Sequence, residues 1–395
     1  MLRARVVKDL EELEGLVPRW RRLLAHAAHA QPVLTPLWLR AWWREFGQAD
    51  GREMRVVALE EDGDLVGLVP LARRKTMHRA AIPVRRLELL ATGEEDSDEI
   101  CSDYVGALVE RGREDDVARE TSRALCDGSL GEWDELRMTA MSGEDPFVPK
   151  LVAALQANGI VAHSQQSGEC PYVPLPRSWE EYLSALGSSR RYVVTRSVRE
   201  LDKWAGESKW ELRRARTPAE LAEGKRVLWA LHTERWAASG RSGVFASARF
   251  ARFHDEVMPR MLAGEDGISL ELQWLRALGE PIAAMYSFIY GGKVYFYQSG
   301  RRVDVPKGVR PGIAMHALSI RSSIDAGRRE YDFLGGASRY KRDLALATRP
   351  LVTIRAVAPS LRARAVEAAR SLADRAIARI RAEREREAAQ GPALE

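Results

Sequence analysis

The chain is poor in cysteine, in lysine and in long apolar runs, and each shortage excludes something. Its three cysteines (Cys101, Cys126, Cys170) stand far apart in 395 residues with no CxxC pair, which argues against a disulfide framework and a zinc knuckle. No apolar stretch approaches the ~20 residues needed to span a bilayer. Met1 to Glu14 is charged throughout and lacks the apolar centre of a secretory signal. These absences predict a soluble, cytoplasmic protein. Surplus charge is scarce too: 61 Lys+Arg against 56 Asp+Glu leave +5, too weak over this length to mark a nucleic-acid surface. There is no HxxxH pair, GxSxG elbow, Walker loop or plausible Ser/His/Asp set, so metal chemistry and serine hydrolysis are disfavoured.

What remains is globular. Hydrophobic residues at 45% and charged residues at 30% suffice for real cores, and the length predicts two or three domains. Leu10 to His26 reads as an amphipathic helix. A Thr35-Pro36 start signal precedes Trp38, Trp42, Trp43 and Phe46 at helical spacing, read as core. Apolar runs at Met54–Leu59 and Leu65–Ala72 flank an Asp62-Gly63 turn and predict a hairpin. Strands are expected over Arg85–Leu90, Tyr104–Val109 and Trp133–Met138, with a helix over Asp115–Cys126 and an acidic loop at Glu94–Glu99. The second half repeats the order. Strands are expected at Leu270–Leu278, Pro281–Tyr290 and Val294–Ser299, a helix at Gly312–Asp325 and a strand at Arg329–Leu334. Between the halves, Pro171, Pro174 and Pro176 force extended backbone. Helices are predicted over Ser178–Leu186, Arg190–Ala205 and Pro218–Ala238. The boundaries are drawn as 1–168, 169–358 and a basic helix and tail, 359–395. Val366, Ala369, Ala373, Ile377 and Ile380 make the apolar stripe of that last helix, read as a cap with a solvated face, or else as a contact for a partner or membrane surface.

Two segments carry chemistry. Gly327 to Lys341 (GRREYDFLGGASRYK) ends a strand at Asp332, turns at Gly335-Gly336 and brings in Tyr340 and Lys341. Ligands in mixed sheets bind beyond the carboxyl ends of strands, and this one supplies a carboxylate, a turn, a phenol and an ammonium there. The second is the loop Lys307, Gly308, Arg310, Pro311, Gly312, which opens a helix. A helix N-terminus offers unpaired N–H groups and partial positive charge to an anion such as phosphate.

These residues resemble the GNAT acyltransferases, in the tandem form of the FemAB-like group, and most closely the CelD/BcsL-type proteins of bacterial polysaccharide loci. The resemblance covers nearly the whole chain. It includes Trp38, Trp42 and Phe46, Ser102-Asp103-Tyr104, the basic helix from Ser188 to Leu201, and Glu234-Arg235-Trp236, and is strongest at Pro311-Gly312 and at Asp332 to Gly336 with Tyr340-Lys341. It implies an α/β fold with mixed sheets, built as two tandem GNAT-like domains with a C-terminal helix. It also implies transfer of an acyl group from acetyl-CoA or another acyl-CoA to a small-molecule or sugar amine in polysaccharide or envelope biosynthesis, without a metal. The family's Q/R-x-x-G-x-G/A phosphate loop has no clean copy here: Gly308 and Gly312 are four apart, and Pro311 removes an amide donor. Two alternatives therefore stand. One is an aminoacyl-tRNA-dependent transferase, with Arg190, Arg191, Arg196 and Arg199 meeting RNA phosphates. The other is a non-catalytic scaffold of a polysaccharide assembly.

For acyl transfer to an amine, a positioned base supplies about 10²–10⁴-fold. Asp332 is the first candidate and Glu234, beside Trp236, the second. Tyr340 would donate to the leaving group or the tetrahedral oxygen, and Lys341 would clamp a phosphate or stabilise negative charge. Gly335, Gly336, Trp236, Tyr297, Arg196 and Asp103 are the candidate substrate contacts. Lone His316 is read as core or surface.

Overall fold

The turns set the registers. Asp62 and Gly63 both take positive φ (51° and 91°), as do Leu278-Gly279 and Gly291-Gly292, and each pair closes a two-residue antiparallel hairpin whose twist suits that geometry. A computed structural model describes residues 1–79, 81–206, 209–336 and 338–390, with backbone alone for 378, 380–382 and 384–390. The tail end 391–395, assigned above to the basic tail, lies outside the described residues, as does the side chain of Ile380.

The N-terminal half contains β1 (Arg3–Val7), α1 (Leu10–Gly15), α2 (Val17–His26), α3 (Pro36–Trp42), β2 (Glu53–Met54), β3 (Val56–Glu61), β4 (Asp64–Val69), β5 (Leu71–His78) and β6 (Ile82–Leu89). It continues with β7 (Leu108–Val109), α4 (Glu114–Cys126), β8 (Glu135–Ser142), α5 (Phe147–Ala157) and β9 (Val161–Pro174). The second half runs α6 (Trp179–Ala185), α7 (Ser188–Ala205), β10 (Trp210–Arg214), α8 (Pro218–Ala237), α9 (Ala248–Leu262), β11 (Ser269–Ala277), β12 (Glu280–Tyr290) and β13 (Lys293–Arg301). Then come α10 (Pro311–Asp325), β14 (Glu330–Asp332), α11 (Arg339–Leu344), β15 (Ala347–Val357) and α12 (Leu361–Gln390).

A four-stranded sheet has the order β1-β3-β4-β7. An eleven-stranded sheet, β10-β11-β12-β13-β14-β9-β15-β8-β6-β5-β2, spans both halves. The last strand, β15, inserts between β9 and β8 of the N-terminal half, and β14 pairs with β9 on the other side. Position 168, where the sequence places the boundary, lies inside β9, and the sheet runs unbroken across it. Trp38 and Trp42 are fully buried and pack with Phe253 and Phe46, as their helical spacing predicts.

Local sequence rules explain the helix starts. Thr217 and Glu220 form a reciprocal capping box on α8, and Thr35 accepts from the Trp38 amide at the start of α3. One expected strand fails. Only Leu108 and Val109 of Tyr104–Val109 are extended; Tyr104 sits at φ 69° and gives its amide to the Ala140 carbonyl. Val366, Ala369, Ala373 and Ile377 of α12 are half-buried, and Arg370 binds Glu135 at 2.7 Å, so this helix is docked along its first turns. No helix among the described residues is long and apolar enough to cross a membrane.

Candidate active site

Strands β13 and β14 run parallel only from Lys293–Tyr295 against Glu330–Asp332. Beyond that point β14 ends while β13 continues to Arg301, with a register shift that leaves Tyr297 as an extra residue opposite Tyr286 and Ser287 of β12. The strands therefore part. The opening is walled by the first turn of α10, by Ser299 and Gly300 of β13, and by Ala283 to Met285 of β12. It is a cavity of about 350 Å³.

Its electrostatics have one sign. Arg235, Arg301 and Arg310 line it, and no carboxylate does among the described residues. The guanidinium of Arg301 is pulled below its ordinary pKa by burial and then by Arg235 beside it. Two cations placed to repel each other, with no acid in the wall, make a site for an anion. The fifteen-residue helix α10 begins with Pro311 and has no side-chain cap; the Ile313 and Ala314 amides donate to the Arg310 carbonyl, so its dipole and the Gly312 amide face the same space. The sequence named Arg310 and Gly312 for this role, and both line the cavity; Lys307 and Gly308 do not. Arg196 approaches from α7: a methyl group on Gly308 would lie 3.8 Å from its Nη2.

His316 and Tyr340 form the inner wall, their rings 5.3 Å apart. Burial pushes the Tyr340 phenol up to about 12. Read from sequence as core or surface, His316 is buried yet lines the cavity, and its Nδ1 lies 3.1 Å from the Tyr331 hydroxyl. Burial, then Lys341 and Arg235, lowers it to about 3. The ring is thus neutral throughout the physiological range and charges only in strong acid. His232, also buried, is lowered to about 4. In an NMR titration both rings should keep neutral-form Cε1–H shifts down to about pH 5; an inflection near 6.5 for either would contradict this packing.

The remaining sequence candidates have other surroundings. Asp332 is fully buried. Its Oδ1 accepts from the Leu334 amide at 2.7 Å; its Oδ2 accepts from the Tyr104 hydroxyl at 2.8 Å and from Arg349 Nη1 at 3.0 Å. Burial raises it to about 6, and Asp332 is not among the residues that line the cavity. The base role read for Asp332 meets a physical obstacle there, for both its oxygens are engaged in holding the fold. Lys341 is 9% exposed and donates to the Gly335 carbonyl at 2.5 Å. Burial lowers its pKa. Asp103 accepts the Gly335 amide at 2.7 Å, and burial raises it to about 6. A side chain on Gly335 would press within 3.0 Å of that carboxylate, and Gly336 needs its φ of 109°, so both glycines serve the turn. The segment thus knots itself to Asp103 and presents Tyr340 alone to the cavity.

Glu234 stands elsewhere, half-buried, accepting the Val303 amide at 2.9 Å. Trp236 lines a second cavity. Tyr297 is a buried phenol that gives its proton to the Ile100 carbonyl at 2.5 Å and meets His254 Nε2 at 3.2 Å, so it is core. Arg190 donates to the Asp343 carbonyl at 2.8 Å, whereas Arg191, Arg196 and Arg199 are exposed. Sequence reasoning missed Arg235, Arg301 and Arg349. Arg235 stands in the Glu234-Arg235-Trp236 segment of the resemblance and Arg301 opens an Arg301-Arg302 pair, but in an arginine-rich chain neither position by itself marks a site residue. Among the described residues no group of three or more His, Cys, Asp or Glu is placed to hold a metal.

A mixed sheet with two parting parallel strands, and an uncapped helix aimed at the gap, is the framework of an acyltransferase fold. Residues 188–342 match the family described as acetyltransferase (GNAT) domain. Over 88% of its length the chain is similar in structure to FemX (TM-score 0.55, 10% identity, 96% of that chain). It is also similar to a conserved protein of unknown function from Bacteroides thetaiotaomicron (TM-score 0.53, 10% identity, 91% of this chain and 100% of that one). A third likeness is to the C-terminal domain of an Agrobacterium fabrum protein assigned as a lysylphosphatidylglycerol synthetase (TM-score 0.50, 10% identity, 90% of this chain and 95% of that one). Curated sequences give no match. The chain has a FemX-like α/β fold, as the sequence resemblance implies, and residues 188–342 within it are those that match the GNAT-domain family.

Proposed function

We propose that the protein is an N-acyltransferase that takes its acyl group from acyl-CoA in the cavity at the β13–β14 opening. One observation carries the reading: an uncapped helix N-terminus and three arginines converge there with no acid. The pyrophosphate would lie against the Gly312 amide at the start of α10, with Arg301, Arg310 and Arg235 balancing its charge. The acyl chain would pass along Ala283, Met285 and Met315, toward Tyr340. The acceptor amine forms a bond from nitrogen to the thioester carbonyl carbon. The carbon–sulfur bond breaks, and the thiolate leaves and takes up the proton the amine releases. Tyr340, un-ionised at neutral pH, is a hydroxyl in the wall able to donate to that sulfur or to the tetrahedral oxygen, with Ser299 the other. Acceptors of the polysaccharide or envelope class are supported by the sequence resemblance to CelD/BcsL-type proteins, and a CoA donor implies the cytoplasm.

The test is thermal unfolding with acetyl-CoA, longer acyl-CoAs and free CoA. Ligand at 100 times its Kd should add about 2.7 kcal/mol. Absence of any shift with every CoA would sink the donor assignment. Exposed Arg191, Arg196 and Arg199 on α7, with Arg196 near Gly308 of the loop that opens α10, favour an aminoacyl-tRNA donor as the second reading. That reading predicts binding that weakens steeply with salt.

A further inference from the structure

His316 stands in the wall of the donor cavity, on α10 five residues past Pro311 and so about 7.5 Å further along the helix axis. Its ring centre is 5.3 Å from that of Tyr340, and Phe296 and Phe333 hold it from other sides at 4.6 Å and 5.4 Å. Of its two nitrogens, Nδ1 is taken, lying 3.1 Å from the Tyr331 hydroxyl. Nε2 has no hydrogen-bond partner among the described residues. It is also not sealed in the protein as an orphaned atom, which Nδ1 of His232 is. A nitrogen of a wall residue that is neither bonded nor sealed opens on the cavity.

Tyr331 decides where the ring carries its hydrogen. That phenol is fully buried, and burial raises its pKa against a smaller opposing pull from Ser319, so it stays un-ionised. Its hydroxyl has two acceptors within reach, His316 Nδ1 at 3.1 Å and Met285 Sδ at 3.1 Å. An imidazole nitrogen accepts far better than a thioether sulfur. The hydroxyl therefore donates to Nδ1, and the neutral ring bears its own hydrogen on Nε2. Burial, then Lys341 and Arg235, disfavour the charged ring, and the same two cations favour negative charge close by. An Nε2–H in this wall has no lone pair with which to take a proton. It can donate to an oxygen, and it is already oriented to do so.

We propose that His316 is the oxyanion donor of the transfer: its Nε2–H hydrogen-bonds the thioester carbonyl oxygen and holds the charge that this oxygen gains when the amine adds. The assignment rests on the donor reading above. As the nitrogen–carbon bond forms, the carbonyl π pair moves onto oxygen, toward Nε2–H. When that pair returns, the carbon–sulfur bond breaks and the sulfur takes up the proton the amine releases; His316 neither gains nor loses a hydrogen. A thioester carries its oxygen and its sulfur on one carbon, so it is served by two donors on adjacent side chains, and His316 and Tyr340 are such a pair. Tyr331 is a positioning residue, acting only by fixing which nitrogen of His316 bears the hydrogen.

The experiment is difference infrared spectroscopy of the full chain with acetyl-CoA carrying carbon-13 at the thioester carbonyl. The carbonyl band of the native complex should lie at lower frequency than that of His316→Leu, which lacks the donor. His316→Gln, whose amide can donate from a similar place, should bring the band back down, and Ser299→Ala should leave it where the native chain has it. Free CoA has no thioester carbonyl, so it should raise the unfolding temperature of His316→Leu as much as that of the native chain. Nitrogen-15 NMR of the native protein, labelled in histidine, should place the His316 hydrogen on Nε2. Tyr331→Phe should mix the two ring forms and shrink the infrared shift, with the thermal response to CoA retained. A hydrogen on Nδ1 in the native chain overturns the proposal. So does a carbonyl band that is the same in the native and Leu chains, or that answers to Ser299→Ala instead; with CoA still bound, the donor reading survives either result. If no acyl-CoA binds, the donor reading falls and the His316 assignment falls with it.

Discussion

Replacing Arg349 with Met should lower the unfolding free energy by about 3–5 kcal/mol, the range for removing one partner of a buried ion pair. Arg349, on β15, is buried and holds three carboxylates: Nη1 reaches Asp332 Oδ2 and Nη2 reaches Glu330 Oε2, both at 3.0 Å, while Nε reaches the half-exposed Glu144 at 2.6 Å. Lys293 adds a second cation at 3.1 Å from Glu330, and the Tyr104 hydroxyl completes Asp332. Methionine fills the space but leaves Asp332 and Glu330 as buried charges with one cation between them. Chemical denaturation measures the effect, and a loss below about 1 kcal/mol would mean that water or a neighbour relieves the pair. Asp332→Asn in the Arg349→Met background should recover part of the loss, because it removes the charge left uncompensated. By the same reasoning Asp332→Ala destabilises the fold, and any loss of turnover in that variant has to be judged against its stability. Tyr340→Phe is the cleaner probe of chemistry, since it removes one hydroxyl from the cavity wall and no charge.

The second large effect is on the donor. Arg301→Ala with Arg310→Ala should weaken CoA about ten- to a hundredfold, because each guanidinium offers charge-assisted hydrogen bonds to phosphate in a wall without acids. In steady-state kinetics KM for the acyl donor rises and kcat changes little, the pattern for contacts made equally in ground and transition states. Lys307→Ala, outside the wall, should leave affinity within about twofold. An unchanged affinity in the double variant would move the phosphates elsewhere.

Where a signal is local, the sequence carries it. The hairpins follow from Asp62-Gly63 and Gly291-Gly292, which reverse the chain at low cost. The start of α8 follows from Thr217-Pro218 with Glu220, whose side chains satisfy the first amides. The alternating prolines before Pro176 do hold backbone extended, as the end of β9. Reading fails where a neighbour distant in sequence decides. Tyr104 has strand-like chemistry but is bent to φ 69°, and its hydroxyl is spent on Asp332, 228 residues away. Residues 347–357 carry Arg349 and Pro350 among apolar ones and announce no partner, yet they form the strand that joins the halves. Asp332 and Lys341 are right for acid–base chemistry by type, and packing turns both inward.

Composition, turn chemistry and periodicity, with the family resemblance, pointed to an α/β protein with mixed sheets, and placed a candidate anion site at Arg310 to Gly312. These are short-range properties: they depend on backbone preference and on which side chains recur on one face. Only the tertiary structure decided which charges stand alone. Arg235 and Arg301 meet at a cavity wall lined by no acid among the described residues, with Glu234 behind it, Asp96 and Glu99 face a cavity lined by no lysine or arginine among the described residues, and Asp332 is paired with Arg349. Charges act through space, so a guanidinium's partner is set by the fold and not by its neighbours along the chain.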